Sequence, residues 1–206
     1  PDTSLYPPIL RQKILDAETS VGEHLLVYQT TTTNEWLLQV LKKLDVPCRV
    51  YGLHREETIG KLELKGFSED GFIKDLASSR GVLATGGFSL MGEAIYLKKP
   101  LLAVPLSGQF EQVLNCLYLD KLGYGEMYRE LSVDGVRHFV DNLERYDRAL
   151  EGFEQDGNRQ ILAALGALGV LSRAAVQLTF RRQPPHRPHP RRHRPALAGP
   201  EPATPA

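Results

Sequence analysis

The chain has 206 residues, 42% of them hydrophobic, 24% charged and 8% aromatic, the composition of an ordinary globular protein with one domain, or one domain and a tail. Its 25 basic and 25 acidic residues cancel, which argues against a uniformly basic nucleic-acid binder. Two cysteines, Cys48 and Cys116, are too few for a disulfide framework or a cysteine-rich zinc module, and no stretch approaches the ~18 uncharged apolar residues that span a membrane.

The N-terminal segment Pro1 to Pro8 has neither the charged nor the apolar region of a signal peptide, and it begins without Met. A start inside a longer protein is the expectation. His24 to Tyr28 is a short apolar run and predicts a buried strand. Asn34 can cap a helix carried by Trp36, Leu37, Val40, Leu41 and Leu44, which Pro47 stops. Arg49 to Leu53 predicts a second strand and Leu62 to Lys65 a third. Phe72, Ile73, Leu76 and Ala77 mark a helix entered near Ser68 to Asp70, and Gly81 to Ala84 a fourth strand. A helix over Phe88 to Leu97 and a fifth strand over Pro100 to Pro105 follow. Val113, Leu114, Leu117, Tyr118 and Leu122 form the apolar stripe of the next helix, which Gly123 closes. A weak strand is expected near Glu126 to Tyr128, then an amphipathic helix through Val136, Phe139, Val140, Leu143 and Tyr146.

Strands that alternate with helices in this way predict an α/β fold: a Rossmann-like open parallel sheet with helices on both faces. The strands read as solid apolar runs, as strands covered on both sides should. Such sheets bind ligands beyond the carboxyl ends of their strands. The loop after the first strand, Gln29 to Thr33, has no glycine, which argues against the dinucleotide fingerprint G-x-G-x-x-G; its threonine hydroxyls could still cap a helix or meet a phosphate. The loop after the fourth strand reads Thr85-Gly86-Gly87-Phe88-Ser89. Two glycines let an anion approach the backbone, and the helix that starts there aims free N–H groups and its dipole at it. Glu93, four residues after Ser89, offers a carboxylate to a pair of hydroxyls, or is simply a solvated helix residue. After the fifth strand, Glu111 and Gln112 set an acceptor beside an amide, a pair suited to sugar hydroxyls, although Glu111 could equally answer the helix dipole.

These residues bring a family into view. The segment from about Val27 to Gly125 resembles the C-terminal, donor-binding domain of GT-B glycosyltransferases, closest to the family-28 group of MurG-type enzymes. The resemblance implies that Phe72 and Ile73, in Gly66-Phe67-Ser68-Glu69-Asp70-Gly71-Phe72-Ile73, flank a uracil-type base. It implies that Thr85, Gly86, Gly87, Phe88 and Ser89 take the diphosphate, joined by Thr30 and Thr31, that Glu93 holds the ribose, and that Glu111 and Gln112, with Asn115 following, hold the donor sugar. The first loop departs from the family's glycine-rich form, and Thr85 stands where many relatives place Arg, Ser or His.

By the same resemblance, the chain is a metal-independent hexosyltransferase half that recognises a nucleotide-diphosphate sugar, a UDP-sugar first of all. Pro7 to Arg11 looks like the interdomain linker, and the acceptor domain with its general base would lie elsewhere, in the preceding half or in a partner chain. No base is assigned within this sequence; His24 and His54 are read as structural or exposed. Residues 1–22 are read as linker, 23–150 as the nucleotide-sugar domain, 151–180 as a helical segment and 181–206 as a disordered tail. The tail carries six arginines against one glutamate, a formal +5 that leaves −5 for the first 180 residues, together with eight prolines and His186, His189 and His193. A GT-B-fold sugar-nucleotide epimerase and a non-catalytic interaction module are the alternatives. The expected setting is cytoplasmic, with peripheral contact to the inner membrane face as an option, no nucleic-acid partner, and an acceptor glycan or lipid left open.

Overall fold

The apolar runs assemble into a single seven-stranded sheet. In the computed structural model, which describes residues 3–29 and 35–169, the chain runs α1 (Gln12–Leu15), β1 (Leu25–Tyr28), α2 (Glu35–Lys42), β2 (Cys48–Tyr51), β3 (Glu57–Ile59), β4 (Leu62–Lys65), α3 (Glu69–Ser78), β5 (Gly81–Ala84), α4 (Phe88–Tyr96), β6 (Leu101–Ala103), α5 (Phe110–Leu122), β7 (Gly125–Met127), α6 (Val133–Asp141), α7 (Leu143–Glu151) and α8 (Arg159–Ala167). Strand order is β3-β4-β2-β1-β5-β6-β7. Every neighbouring pair is parallel except β3, which folds back antiparallel on β4, so the sheet carries one antiparallel edge that the sequence did not show. The residues 30–34 and 170–206, which hold Thr30, Thr31, Asn34 and the Pro/Arg-rich tail with its three histidines, lie outside the described residues.

Side chains alternate across the sheet, and both faces are covered. Leu26, Tyr51, Val82, Ala84 and Leu101 pack with Ile14, Phe72, Leu76, Ala94 and Leu119, which places α1, α3, α4 and α5 on one face. Leu25, Val27, Val50, Leu64, Leu83 and Leu102 pack with Leu37, Leu41, Val136, Phe139 and Tyr146 on the other, beneath α2, α6 and α7. Each such aliphatic side chain, buried almost completely, contributes about 2 kcal/mol relative to exposure. Two expectations about helices change. The run from Val136 to Tyr146 is two helices that break at Asn142, whose φ of −102° and ψ of 9° leave the helical range. On α5 the buried residues are Cys116 and Leu119, while Leu114, Leu117, Tyr118 and Leu122 are exposed, so the predicted stripe faces outward.

β1 lies between β2 and β5, so the chain winds outward first to one side of β1 and later to the other. The crevice between the carboxyl ends of β1 and β5 is the switch point of an open α/β sheet, where ligands of such folds bind.

The segment read as linker is docked. Leu10, Ile14 and Leu15 are buried in the core. Asn158 clasps the Leu10 backbone from both sides: its Oδ1 accepts from Leu10 N at 2.8 Å and its Nδ2 donates to Leu10 O at 2.9 Å. Gln155 Nε2 donates to Pro8 O at 3.1 Å. Residues 8–16 therefore form a strap across α4 and α3.

Candidate functional site

At the end of β5, Thr85 and Gly86 are buried, Gly87 is half-buried, and Phe88 and Ser89 are exposed. Gly86 has φ of +89°, and a Cβ there would lie 2.4 Å from Cys116 Sγ and 3.3 Å from the Gln112 carbonyl oxygen. Only glycine combines that backbone with so close an approach to α5. A Cβ on Gly87 would meet nothing within 4 Å. Gly87 is the N-cap of α4, with no side-chain cap and no acidic residue in the first turn. The first amide bonded back along α4 is Met91 N, to Gly87 O at 3.1 Å, which leaves the N–H groups of Phe88, Ser89 and Leu90 ahead of it. By contrast, α3 and α6 are capped by Ser68 and Ser132, each accepting from the glycine N–H three residues on.

Glu93 sits one turn further and is 6% exposed. Its carboxylate is gripped by the strap: Arg11 Nε donates to Oε1 at 2.7 Å and Nη2 to Oε2 at 2.8 Å. Arg11 Nη1 also reaches Glu69 Oε1 at 3.0 Å, and Lys13 Nζ pairs with Glu69 at 2.6 Å and Asp70 at 2.7 Å. The hydrogen bonds to Glu93 raise the Arg11 guanidinium further above its ordinary value. The sequence put Glu93 four residues after Ser89, as a diol acceptor or a solvated residue; it is buried rather than solvated, and Arg11 was missed because no local spacing links residues 82 apart.

The third station adjoins the first. Asn115 Nδ2 donates to Gly86 O at 3.2 Å and lies 3.5 Å from Glu111 Oε1, so one amide bridges the glycine loop and the acid of α5. Gln112 Oε1 accepts from Leu106 N at 3.0 Å and ties the loop after β6 to the same helix. Like α4, α5 starts without a side-chain cap, at Gln109. Two uncapped helix starts, the loops that lead to them, Glu111 and Gln112 thus share one surface at the carboxyl end of the sheet.

Phe72 and Ile73 are placed differently. Each is 6% exposed, and the Phe72 ring stands edge-on to Tyr28 at 5.5 Å and to Tyr51 at 5.2 Å. Both side chains are committed to the core, and Phe72 N donates to Ser68 O at 2.8 Å; the exposed aromatic side chain of this segment is Phe67. His24 Nε2 lies 2.9 Å from Asp75 O, and burial chiefly pushes its imidazole below the ordinary value; His54 is exposed with φ of 53°. Among the described residues, no group of three or more His, Cys, Asp or Glu is placed to hold a metal ion, and no helix is long and apolar enough to cross a membrane. A cleft of about 380 Å³ lies at the amino ends of β1, β2 and β4, lined by His24, Arg49, Lys61 and Glu63, away from all the candidate residues.

The chain is 30% identical over 89 residues to UDP-N-acetylglucosamine--N-acetylmuramyl-(pentapeptide) pyrophosphoryl-undecaprenol N-acetylglucosamine transferase 3 of Bacillus cereus, a match covering 39% of this chain and 25% of the relative. Its fold matches MurG of Acinetobacter baumannii with a TM-score of 0.53 at 15% identity, over 78% of this chain and 54% of that one. It also matches the glycosyltransferase VinC, solved in complex with dTDP, with a TM-score of 0.51 at 13% identity, over 70% of this chain and 39% of that one. The chain thus spans about half the MurG structure and about a quarter of the Bacillus relative. The sequence profile of glycosyl transferase family 1 matches residues 1–144. The chain belongs to glycosyl transferase family 1, and its fold is similar to that of the GT-B enzyme MurG.

Proposed function

We propose that this chain is the donor-binding half of a nucleotide-sugar glycosyltransferase and that its donor is a UDP-sugar. The observation that carries the reading is the Asn115 bridge, which sets the glycine loop and Glu111 on one surface beside the uncapped start of α4. The name of the Bacillus relative supports uridine as the nucleotide.

The diphosphate lies against Thr85, Gly86, Gly87 and the N–H groups of Phe88 and Ser89, where helix-start amides and dipole favour negative charge. Glu93 accepts from the ribose hydroxyls, the backbone near Phe72 and Ile73 meets the base, and Glu111 and Gln112 hold the sugar. In transfer, the acceptor hydroxyl oxygen bonds to the anomeric carbon as the bond from that carbon to the diphosphate oxygen breaks. The acceptor proton passes to a base on the other half, and the diphosphate leaves with the electron pair. The same N–H groups stabilise the charge that develops on that leaving group, so donor binding needs no metal.

Calorimetric titration of the full chain with UDP tests the reading. Saturable binding is expected, weakened about tenfold by Glu93→Gln, the size of one or two charge-assisted hydrogen bonds. A folded wild-type chain that leaves UDP unbound, or a variant that binds as well as wild type, would contradict it.

A further inference from the structure

Glu93 is an awkward group to set near a diphosphate, because both are anions and their repulsion grows in a low-dielectric site. The strap supplies the missing countercharge. Arg11 donates one hydrogen bond to each Glu93 oxygen, at 2.7 and 2.8 Å. A carboxylate has about four lone-pair sites, so each oxygen keeps one for a further donor. The fork takes the convergent site of each oxygen, and the one left on each points outward, where it fits a single ribose hydroxyl.

Arg11 is itself held in place. Glu69 accepts from it at 3.0 Å on the far side. The preceding residue, Leu10, is clasped at both backbone groups by Asn158. Gly92, next to Glu93, admits the strap closely: a Cβ there would lie 2.6 Å from Pro8 Cγ. The guanidinium cannot leave Glu93 freely while the strap stays docked.

We infer that Arg11 is a positioning residue for donor recognition. It holds the Glu93 carboxylate fixed and charge-compensated, with an outward acceptor site left for the 2′-hydroxyl of a ribonucleoside diphosphate. Discrimination between ribose and 2′-deoxyribose then depends on the docked strap. The inference rests on the donor-site reading above.

The test is titration of the full chain with UDP and with 2′-deoxyUDP, for wild type, Arg11→Gln, Arg11→Lys and Lys13→Gln, with thermal melts in parallel. Wild type is expected to prefer UDP by about tenfold, the worth of one hydrogen bond to a charged acceptor. Arg11→Gln brings that ratio close to one, and Arg11→Lys restores part of it by returning the charge without the fork. Lys13→Gln removes strap ion pairs that do not touch Glu93 and leaves the ratio unchanged, which separates positioning from a general loosening of the strap. If UDP still binds and wild type and Arg11→Gln show the same ratio, the inference is overturned while the donor-site reading stands. Tighter UDP binding by Arg11→Gln also overturns it, because Arg11 would then be an occluding group. A wild-type chain that binds neither nucleotide overturns the donor-site reading and this inference together.

Discussion

Asp75 shows how the domain accommodates a charge that plays no part in the proposed site. It lies on the inner side of α3, 3% exposed, against β2 and β4. Arg49 and Tyr51, two residues apart on one face of β2, donate to it at 2.6 Å each, and Lys65, paired in register with Tyr51, lies 3.1 Å away. Burial alone would push its carboxyl up; the hydrogen bonds from Tyr51 and Lys65 and the charges of Arg49 and Lys65 outweigh it and hold the group below its ordinary value. A carboxyl whose folded value is depressed contributes stability in full above its unfolded value, near 4, and loses it as pH falls through the folded value. Asp75→Asn is expected to cost about 2 kcal/mol at pH 7, less than a fully buried pair because Arg49 and Lys65 are part-exposed. It should also flatten the acid limb of stability against pH. Urea unfolding from pH 7 downward measures both, and an unchanged midpoint would refute the assignment. Nothing in the sequence singles out Asp75, because its partners are set by strand register rather than by spacing along the chain.

Among the elements, the loop from β5 into α4 separates folding from binding most cleanly. Gly86→Ala meets Cys116 and a left-handed φ, and should destabilise by about 2 kcal/mol. Gly87→Ala has φ of −61° and open space around its Cβ, so it should cost only about 0.5–1 kcal/mol, the loss of a glycine N-cap, while weakening UDP, because the methyl would stand where the proposed diphosphate approaches. Denaturant melts with parallel UDP titrations check the pair; equal destabilisation by both, or undiminished UDP binding by Gly87→Ala, would refute it. The elements that read correctly from sequence are those whose burial is simple. β1, β5 and β6 are continuous apolar runs, and Gly123 ends α5 with φ of 72°. β3 was missed because it is three residues long, Glu57-Thr58-Ile59, with two of them exposed. The break at Asn142 was invisible because Phe139, Leu143 and Tyr146 keep helical spacing across it. α5 misled because it is apolar on both faces, and periodicity does not say which one meets the sheet.

At the scale of the whole molecule, alternation of strand and helix was enough to give the sheet, its two covered faces and the end at which to look for a site. The glycine loop, Glu93 and Glu111 could be assigned to their elements from the sequence because each lies in the loop or helix that follows a strand end. The strap was not, because its ties are long-range: Arg11 reaches residues 58 and 82 positions away, and Leu10 reaches one 148 away. A four-residue helix with no strong periodicity gives no local sign that Leu10, Ile14 and Leu15 belong to the core. Nucleotide is proposed to bind at the carboxyl end of the sheet, against the start of α4. Amide chemical-shift mapping during a UDP titration of the isotope-labelled chain tests it most directly. The largest shifts are expected at Gly86, Gly87, Phe88 and Ser89, with smaller ones at Glu93 and Glu111. Shifts centred on His24, Cys48 and Arg49 at the opposite end of the strands, or none at saturating UDP, would contradict it.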